Sequence, residues 1–333
     1  MIRALAHLAN HQFSDQVDLA NVKAALKDRR TVLWLDVEDP TPAELELLRE
    51  QFGFHELAIE DASRPHQRPK LEEYDDFYFM VFYSMELTAS IELTTPDGRP
   101  AVGGLYFKEV DFFAGTDYLV AVHREPIREI PEGLRRWERN HDVIGHGVGA
   151  LLYSLLDSMV DNYFGVADRL AEEASGVQEQ VFRASDGGTV QSIFALKKHL
   201  LAMRRVLGPE RDALTILLRQ DIPLLDRKTV IYLRDVYDHL VRITDTVDLQ
   251  SDLLSSGLDV YLSNVSNRLN QIVKTLTSVT IILMTMALIA GIYGMNFANM
   301  PELSWPWGYA WALGLMAFSG VGLFLFLRSK GWL

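Results

Sequence analysis

The chain has 333 residues, with 45 acidic and 32 basic side chains, a formal charge of −13 and no cysteine. An acidic chain with no basic domain is a poor nucleic-acid ligand, so nucleic acid is not an expected partner. Without cysteine there are no disulfides, no thiolate metal centres and no cysteine nucleophile.

In chain order, Met1 to Ala20 shows no basic stretch followed by an apolar run, so no signal peptide is expected. Residues 1–145 read as mixed α/β. Thr31–Val37 is a strand candidate. A helix follows, with Thr41 as cap, Pro42 at its first position, Glu44 closing a capping box and Gly53 ending it. Phe77–Met85, Leu105–Phe113 and Tyr118–His123 are further strand candidates, the last two joined through Gly115-Thr116. Residues 146–227 read as a helical hairpin, with arms Leu151–Phe182 and Val190–Arg219 separated by Ala184–Gly188. Gly208-Pro209 is expected to kink or break the second arm. The acids Asp168, Glu172, Glu173 and Glu179 form a solvated face or, alternatively, a cation-attracting one.

Between Pro223 and Pro301 there is no proline, so Lys228 to Tyr293 reads as one helix, about 100 Å long at 1.5 Å per residue. Residues 228–274 form a stalk. Beyond Lys274 only Glu302, Arg328 and Lys330 are charged, whereas residues 1–274 carry −14. Residues 275–295 and 308–327 are therefore expected to cross a membrane, rather than to be buried helices of a soluble core. Residues 296–307 form the loop between them and 328–333 the tail. Arg268 and Lys274 precede the first span, Arg328 and Lys330 follow the second, and the loop has neither Lys nor Arg. That distribution places both termini in the cytoplasm and the chain in the plasma (inner) membrane as a multi-pass protein. The fold class is thus an α+β cytoplasmic domain, a mixed sheet with helices, followed by a long stalk helix and two transmembrane helices.

On the long helix Asp238, Asp245, Asp252 and Asp259 recur every seven residues. That row and its companion continue as Asn270, Val273, Thr277, Thr280, Met284, Ala287 and Gly291, with Leu276 at the border. An aliphatic stripe (Val236, Leu240, Ile243, Val247, Leu254) lies away from the seam. A plain surface helix shows the same acid and aliphatic faces. Small and polar residues that persist into a span point instead to a water-filled lumen. Two spans cannot enclose a pore, so several chains must ring an axis. Asp259 would then ring its mouth with carboxylates, while Leu276 and Met284 would form apolar constrictions and Asn270 would offer amide oxygens to a hydrated cation.

The first span ends in Tyr293-Gly294-Met295-Asn296, before Met300-Pro-Glu-Leu303 and Trp305-Pro-Trp-Gly-Tyr309. With a single last span and a Lys330-Gly-Trp-Leu333 end, the chain resembles the CorA family of divalent-cation channels. The likeness is most specific over Tyr232 to Leu333. It extends through Leu152–Asp157 and His66–Lys70 to about Glu60. The resemblance implies a homopentameric funnel in the lipid bilayer with Gly294, Met295 and Asn296 as outer selectivity filter. It implies Mg²⁺ as both cargo and regulator, with Co²⁺ and Ni²⁺ as further cargo and no organic cofactor. It also implies a regulatory metal between subunits, held by Asp61 and a neighbour's Asp235, and an adjacent site using Glu60, Asp157 and His239. Where the family usually carries a Pro and a Thr before the final Ile-Ala-Gly, this chain has Thr285-Met-Ala-Leu288.

His141 and His146, in a Gly-rich loop, are the other metal-ligand candidates, at a spacing that favours no helix face. No phosphate-binding Gly-rich loop or Gly-x-Ser-x-Gly elbow is present, so an enzyme is not expected. Two alternatives stand beside Mg²⁺ transport: a Zn²⁺ transporter of the ZntB type, and a non-conducting, membrane-anchored Mg²⁺ sensor or scaffold.

Overall fold

The computed structural model describes residues 2–7, 13–14, 31–87, 104–183, 187–219, 222–296 and 300–332. Among these residues seven strands form one sheet: β1 (Ile2–His7), β2 (Phe13–Ser14), β3 (Val32–Glu38), β4 (Lys70–Glu73), β5 (Tyr78–Leu87), β6 (Leu105–Ala114) and β7 (Tyr118–His123). Their order is β2-β1-β3-β7-β6-β5-β4. Only β3 and β7 run parallel, and every other pair is antiparallel, so the sheet is mixed. The expected strands on β3, β5, β6 and β7 are present within a residue or two of their sequence bounds, and β6 and β7 pair antiparallel through the Gly115-Thr116 turn.

Both faces of β5 are buried. Its odd residues Phe79, Val81 and Tyr83 join a core with Leu45, Leu48, Phe54, Ala58 and Ala62 of the segment α1 (Pro42–Phe52) to α2 (Glu56–Ser63). Its even residues Met80 and Phe82 are equally buried, and Ser84 donates to Glu129 at the start of α3 (Glu129–Ile144). Near-continuous apolar runs suit strands covered on both sides. α1 begins as its sequence dictates. Thr41 Oγ1 accepts from the Glu44 N–H at 3.2 Å, Glu44 Oε2 accepts from the Thr41 N–H at 2.7 Å, and Gly53 closes the helix.

The two arms expected of the hairpin correspond to helices α4 (Val148–Arg183) and α5 (Gly187–Arg219). Of the expected separator, Ala184 to Asp186 lie outside the described residues, and Gly187 and Gly188 already belong to α5. Of the kink or break expected at Gly208-Pro209, the break does not occur: α5 continues through Pro209. A proline there removes one helical hydrogen bond. Leu207, Glu210, Ala213 and Leu214, all buried, anchor the turns on both sides of it.

α6 (Arg227–Tyr293) is one helix of 67 residues. Val236, Leu240, Ile243, Val247 and Leu254 are buried, while Asp238, Asp245, Asp252 and Asp259 are exposed. A 3₁₀ turn, Pro301–Ser304, and α7 (Gly308–Ser329) complete the chain. At Gly308 a Cβ would stand 2.2 Å from the Glu302 carbonyl oxygen, so that close approach requires glycine.

The chain divides into two compact units: residues 1–180 with 186–256, and residues 181–185 with 257–333. The first holds the sheet and its helices. The second holds the remainder of α6, the 3₁₀ turn and α7. Its two helices are long and apolar enough to cross a membrane, and their apolar windows are only 6% and 11% buried.

Candidate functional site

In the second unit α6 presents two opposite faces. Ser278, Ile282, Thr285, Met286, Ile289 and Tyr293 are its buried or half-buried residues along one side. That side packs toward α7, where Met286 Sδ comes within 3.5 Å of the space beside Gly320. At about 100° per residue, Val273, Leu276, Thr280, Met284, Ala287 and Gly291 lie half a turn away. All six are exposed, as are Asp259 and Asn270, whereas Thr277 is half-buried at the edge of the row. The seam read from the sequence is therefore the face that the chain's own last helix leaves uncovered.

Three hydroxyls in this span are satisfied locally. Ser278 donates to the Lys274 carbonyl, Thr280 to Leu276 and Thr285 to Ile281, each at 2.8 Å. Such back-bonding lets Ser and Thr sit in apolar surroundings. Thr280 is thus weaker support for a wet face than its hydroxyl alone suggests. Thr285 does not replace a hydroxyl at 287, because it lies on the α7 side. α6 ends as the Gly294 N–H donates to Ala290 and the Met295 N–H to Ile292. Gly294, Met295 and Asn296 are exposed, and residues 297–299 of the following loop lie outside the described residues.

In the first unit the metal-ligand candidates fall into two neighbourhoods. Asp61 lies on α2, where its Oδ2 accepts from Lys70 Nζ at 2.6 Å. Lys70 also donates to Glu72 at 2.7 Å. Burial alone would lower the Lys70 ammonium, but these two carboxylates outweigh it and hold its pKa above the usual lysine range. Glu60 is half-buried and pairs with Arg64 at 2.7 Å. Nearby, the buried Asp111 carboxyl is held well above the ordinary range, by burial first and then by the charges of Glu109 and Asp61.

The second neighbourhood joins α4 and α6. Asp157, buried, accepts from Arg136, which also donates to Asp161 at 2.9 Å. Asp157, Asp161 and His239 each offer a ligand atom within 4.8 Å of the others. His239 Nε2 stands 3.8 Å from Asp235 Oδ2, and Asp235 is 63% exposed. His239 Nδ1 is buried with no hydrogen-bond partner among the described residues. Within the chain, Glu60 does not join this group. Asp161 does, although the sequence reading passed over it. Its signal was one helical turn: Asp157 and Asp161 are i and i+4 on one face.

Of the two histidines expected in a Gly-rich loop, His141 lies instead in the last turn of α3 and only His146 in the loop that follows, yet the two converge. His141 Nε2 and His146 Nε2 lie 3.6 and 3.7 Å from the same oxygen, Asp142 Oδ1.

A family model described as CorA-like Mg2+ transporter protein matches residues 29–329. The cobalt/magnesium transport protein CorA of Thermotoga maritima is 36% identical over 310 residues, 92% of this chain and 85% of that protein. The solved complete CorA magnesium transporter of Methanocaldococcus jannaschii superposes with a TM-score of 0.80 at 24% identity, covering 100% of this chain and 99% of that one. The ZntB cytoplasmic domain of Vibrio parahaemolyticus superposes with a TM-score of 0.57 at 16% identity, covering 71% of this chain and 88% of that one.

Proposed function

The chain belongs to the CorA-like Mg²⁺ transporter family, and on that premise we propose that it is a homopentameric channel that passes hydrated Mg²⁺, and with it Co²⁺ or Ni²⁺, across the plasma (inner) membrane. One observation carries the reading. The row Val273–Gly291 is exposed on the side of α6 opposite α7, and that side leads to Gly294-Met295-Asn296. Five copies would turn this row toward a common axis and seal the aliphatic flanks against one another and lipid.

Mg²⁺ gives up its water reluctantly. A ring of Asn296 amides and Gly294 carbonyls would hold the ion by hydrogen bonds to that water, and Glu302 would add negative potential. Leu276 and Met284 would form rings that dewet when narrow, and Asp259 would concentrate cations at the inner mouth. The Lys and Arg flanking the spans support cytoplasmic termini.

Gating would follow from the acids of the first unit. Asp61 against a neighbour's Asp235 repels unless a cation bridges them. High cytoplasmic Mg²⁺ would lock the interfaces, and low Mg²⁺ would release them. Asp157, Asp161 and His239 form the adjacent group, with Glu60 near Asp61 in sequence.

The fold does not separate Mg²⁺ from Zn²⁺ transport, since the ZntB domain shares it. Flux does. In proteoliposomes, Mg²⁺ uptake is expected, with a fall of at least about tenfold in Asn296→Ala, the order expected when a polar ligand of a selective site is removed. Zn²⁺ flux alone would favour the zinc reading, and flux of neither ion would leave a sensor or scaffold.

A further inference from the structure

We propose that the turn joining α3 to α4 binds a transition divalent cation of the zinc, nickel or cobalt kind, at a site separate from those assigned to Mg²⁺. Three ligand atoms meet there: His141 Nε2, Asp142 Oδ1 and His146 Nε2. The carboxylate oxygen is 3.6 Å from one imidazole and 3.7 Å from the other, and all three atoms lie within 4.8 Å. Zinc binds nitrogen and carboxylate oxygen at about 2.0–2.2 Å in tetrahedral geometry. Two such ligands are then about 3.4 Å apart, so the two carboxylate–imidazole distances need shifts of only a few tenths of an ångström, and the two imidazoles, within 4.8 Å of each other, close in by side-chain rotation.

The surroundings are arranged for this use. His141 Nδ1 lies 2.9 Å from the Glu138 carbonyl oxygen. To bond there, Nδ1 carries the proton, which puts the lone pair on Nε2, the atom aimed at Asp142. Metal-bound imidazoles are held in the same way by a backbone carbonyl on the far nitrogen. Gly145 closes α3 at φ 128° and ψ 162°, a conformation that a side chain would strain. That reversal carries His146 back over the last turn, with its ring edge-on to His141 at 4.9 Å. The indole N–H of the fully buried Trp137 donates to the Gly145 carbonyl at 3.2 Å and pins the reversal.

The donor set decides the ion. Two neutral imidazoles and one carboxylate suit zinc, nickel, copper or cobalt, whereas Mg²⁺ prefers an oxygen shell. Asp142 is 84% exposed, so an ion has a route from solvent and room for a water as fourth ligand. The turn also rests on the start of α6. A Cβ on Gly145 would be 3.7 Å from Asp226 Oδ2 and 4.0 Å from Thr229 Oγ1.

The test is direct binding, independent of conduction. Full-length protein in detergent, with Mg²⁺ in large excess to fill the oxygen-rich sites, is titrated with Zn²⁺ by calorimetry and with Co²⁺ by visible absorption. Wild type is expected to take up one more ion per chain than the double variant His141→Ala/His146→Ala, and to lose at least tenfold in affinity in Asp142→Asn. His239→Ala should keep that ion, which separates this site from the α4–α6 group. His146→Gln, at a half-exposed position, repeats the comparison should the double variant misfold. Equal stoichiometry in wild type and His146→Gln would overturn the proposal, and so would displacement of the ion by millimolar Mg²⁺.

Discussion

At position 61 the proposed gating would set two cations against one carboxylate. Lys70 holds Asp61 at 2.6 Å within the chain, and the proposed gating asks the same group to share a Mg²⁺ with a neighbouring subunit. Lys70 is 26% exposed and also sits 5.4 Å above the Phe79 ring, so it is a fixed competitor rather than a waving surface charge. Pairs of this exposure contribute about 0.2–1 kcal/mol. Removing the ammonium frees Asp61 for the divalent ion by about that amount. Lys70→Met is therefore expected to lower the internal Mg²⁺ needed for half-inhibition of uptake by about 1.4- to fivefold. An unchanged or raised half-inhibition would sink the competition. The sequence quoted Lys70 only within a motif. Its partnership with Asp61 spans a helix-to-strand corner and has no sequence period, so it became visible only in three dimensions. Asp61 itself looks like an ordinary helix acid, and its assignment came from the family rather than from its surroundings.

Among the elements, α5 and β5 are tied by one buried acid. Glu210 Oε1 accepts from the Tyr83 N–H at 3.0 Å and from the Tyr163 hydroxyl at 3.0 Å. Burial holds the Glu210 carboxyl well above the ordinary range, although both hydrogen bonds pull it down. The Tyr163 phenol is raised likewise, by burial first and then by Glu210. A raised folded-state value means that folding takes up a proton. The stability this group supplies is full below its unfolded value of about 4.3 and is lost as pH rises through the folded value. Glu210→Gln keeps an acceptor and removes that dependence. Its thermal midpoint in detergent is expected to fall less between pH 5 and pH 8 than that of wild type. Glu210→Ala leaves the Tyr83 N–H without its acceptor and costs about 1–3 kcal/mol. Equal midpoints for the Ala and Gln variants at pH 6 would count against the tie. This bond also bears on Gly208-Pro209, where a kink or a break is expected from the sequence and no break occurs: the residue after Pro209 is pinned to the sheet. The elements legible in the sequence are those with local signals: the Thr41 capping box, the long proline-free run of α6, and alternating or continuous apolar strands. β4 (Lys-Leu-Glu-Glu) was passed over because an edge strand needs little apolar pattern. α3 was passed over because Pro131 and Gly133 mask Ile130, Trp137 and Ile144, the buried residues on its core side.

For the whole assembly, the absence of cysteine becomes an instrument. A single introduced cysteine reports only on contacts with its own symmetry mates. Met284 is 67% exposed on the uncovered side of α6, whereas Met286 sits on the side facing α7. If five copies place the first side on a common axis, Met284→Cys chains in membranes should oxidise to disulfide dimers, and Met286→Cys chains should not. Bridging needs Cα atoms within about 7 Å, so the pattern reads the axis at side-chain resolution. The subunit number is read from the same gel. An axial ring pairs its cysteines two by two, and an odd ring always strands one. A pentamer at full oxidation leaves about one chain in five as monomer, whereas an even ring can go to completion. Complete conversion of Met284→Cys to dimer would rule out the pentamer while keeping the axis, and cross-linking only at Met286→Cys would put the axis on the other side of the helix. The same experiment tests the aspartate row. Asp259 lies on the seam of the same helix, so Asp259→Cys should dimerise with the same monomeric remainder if the row faces inward. Failure there, with success at Met284→Cys, would return those aspartates to an ordinary solvated face.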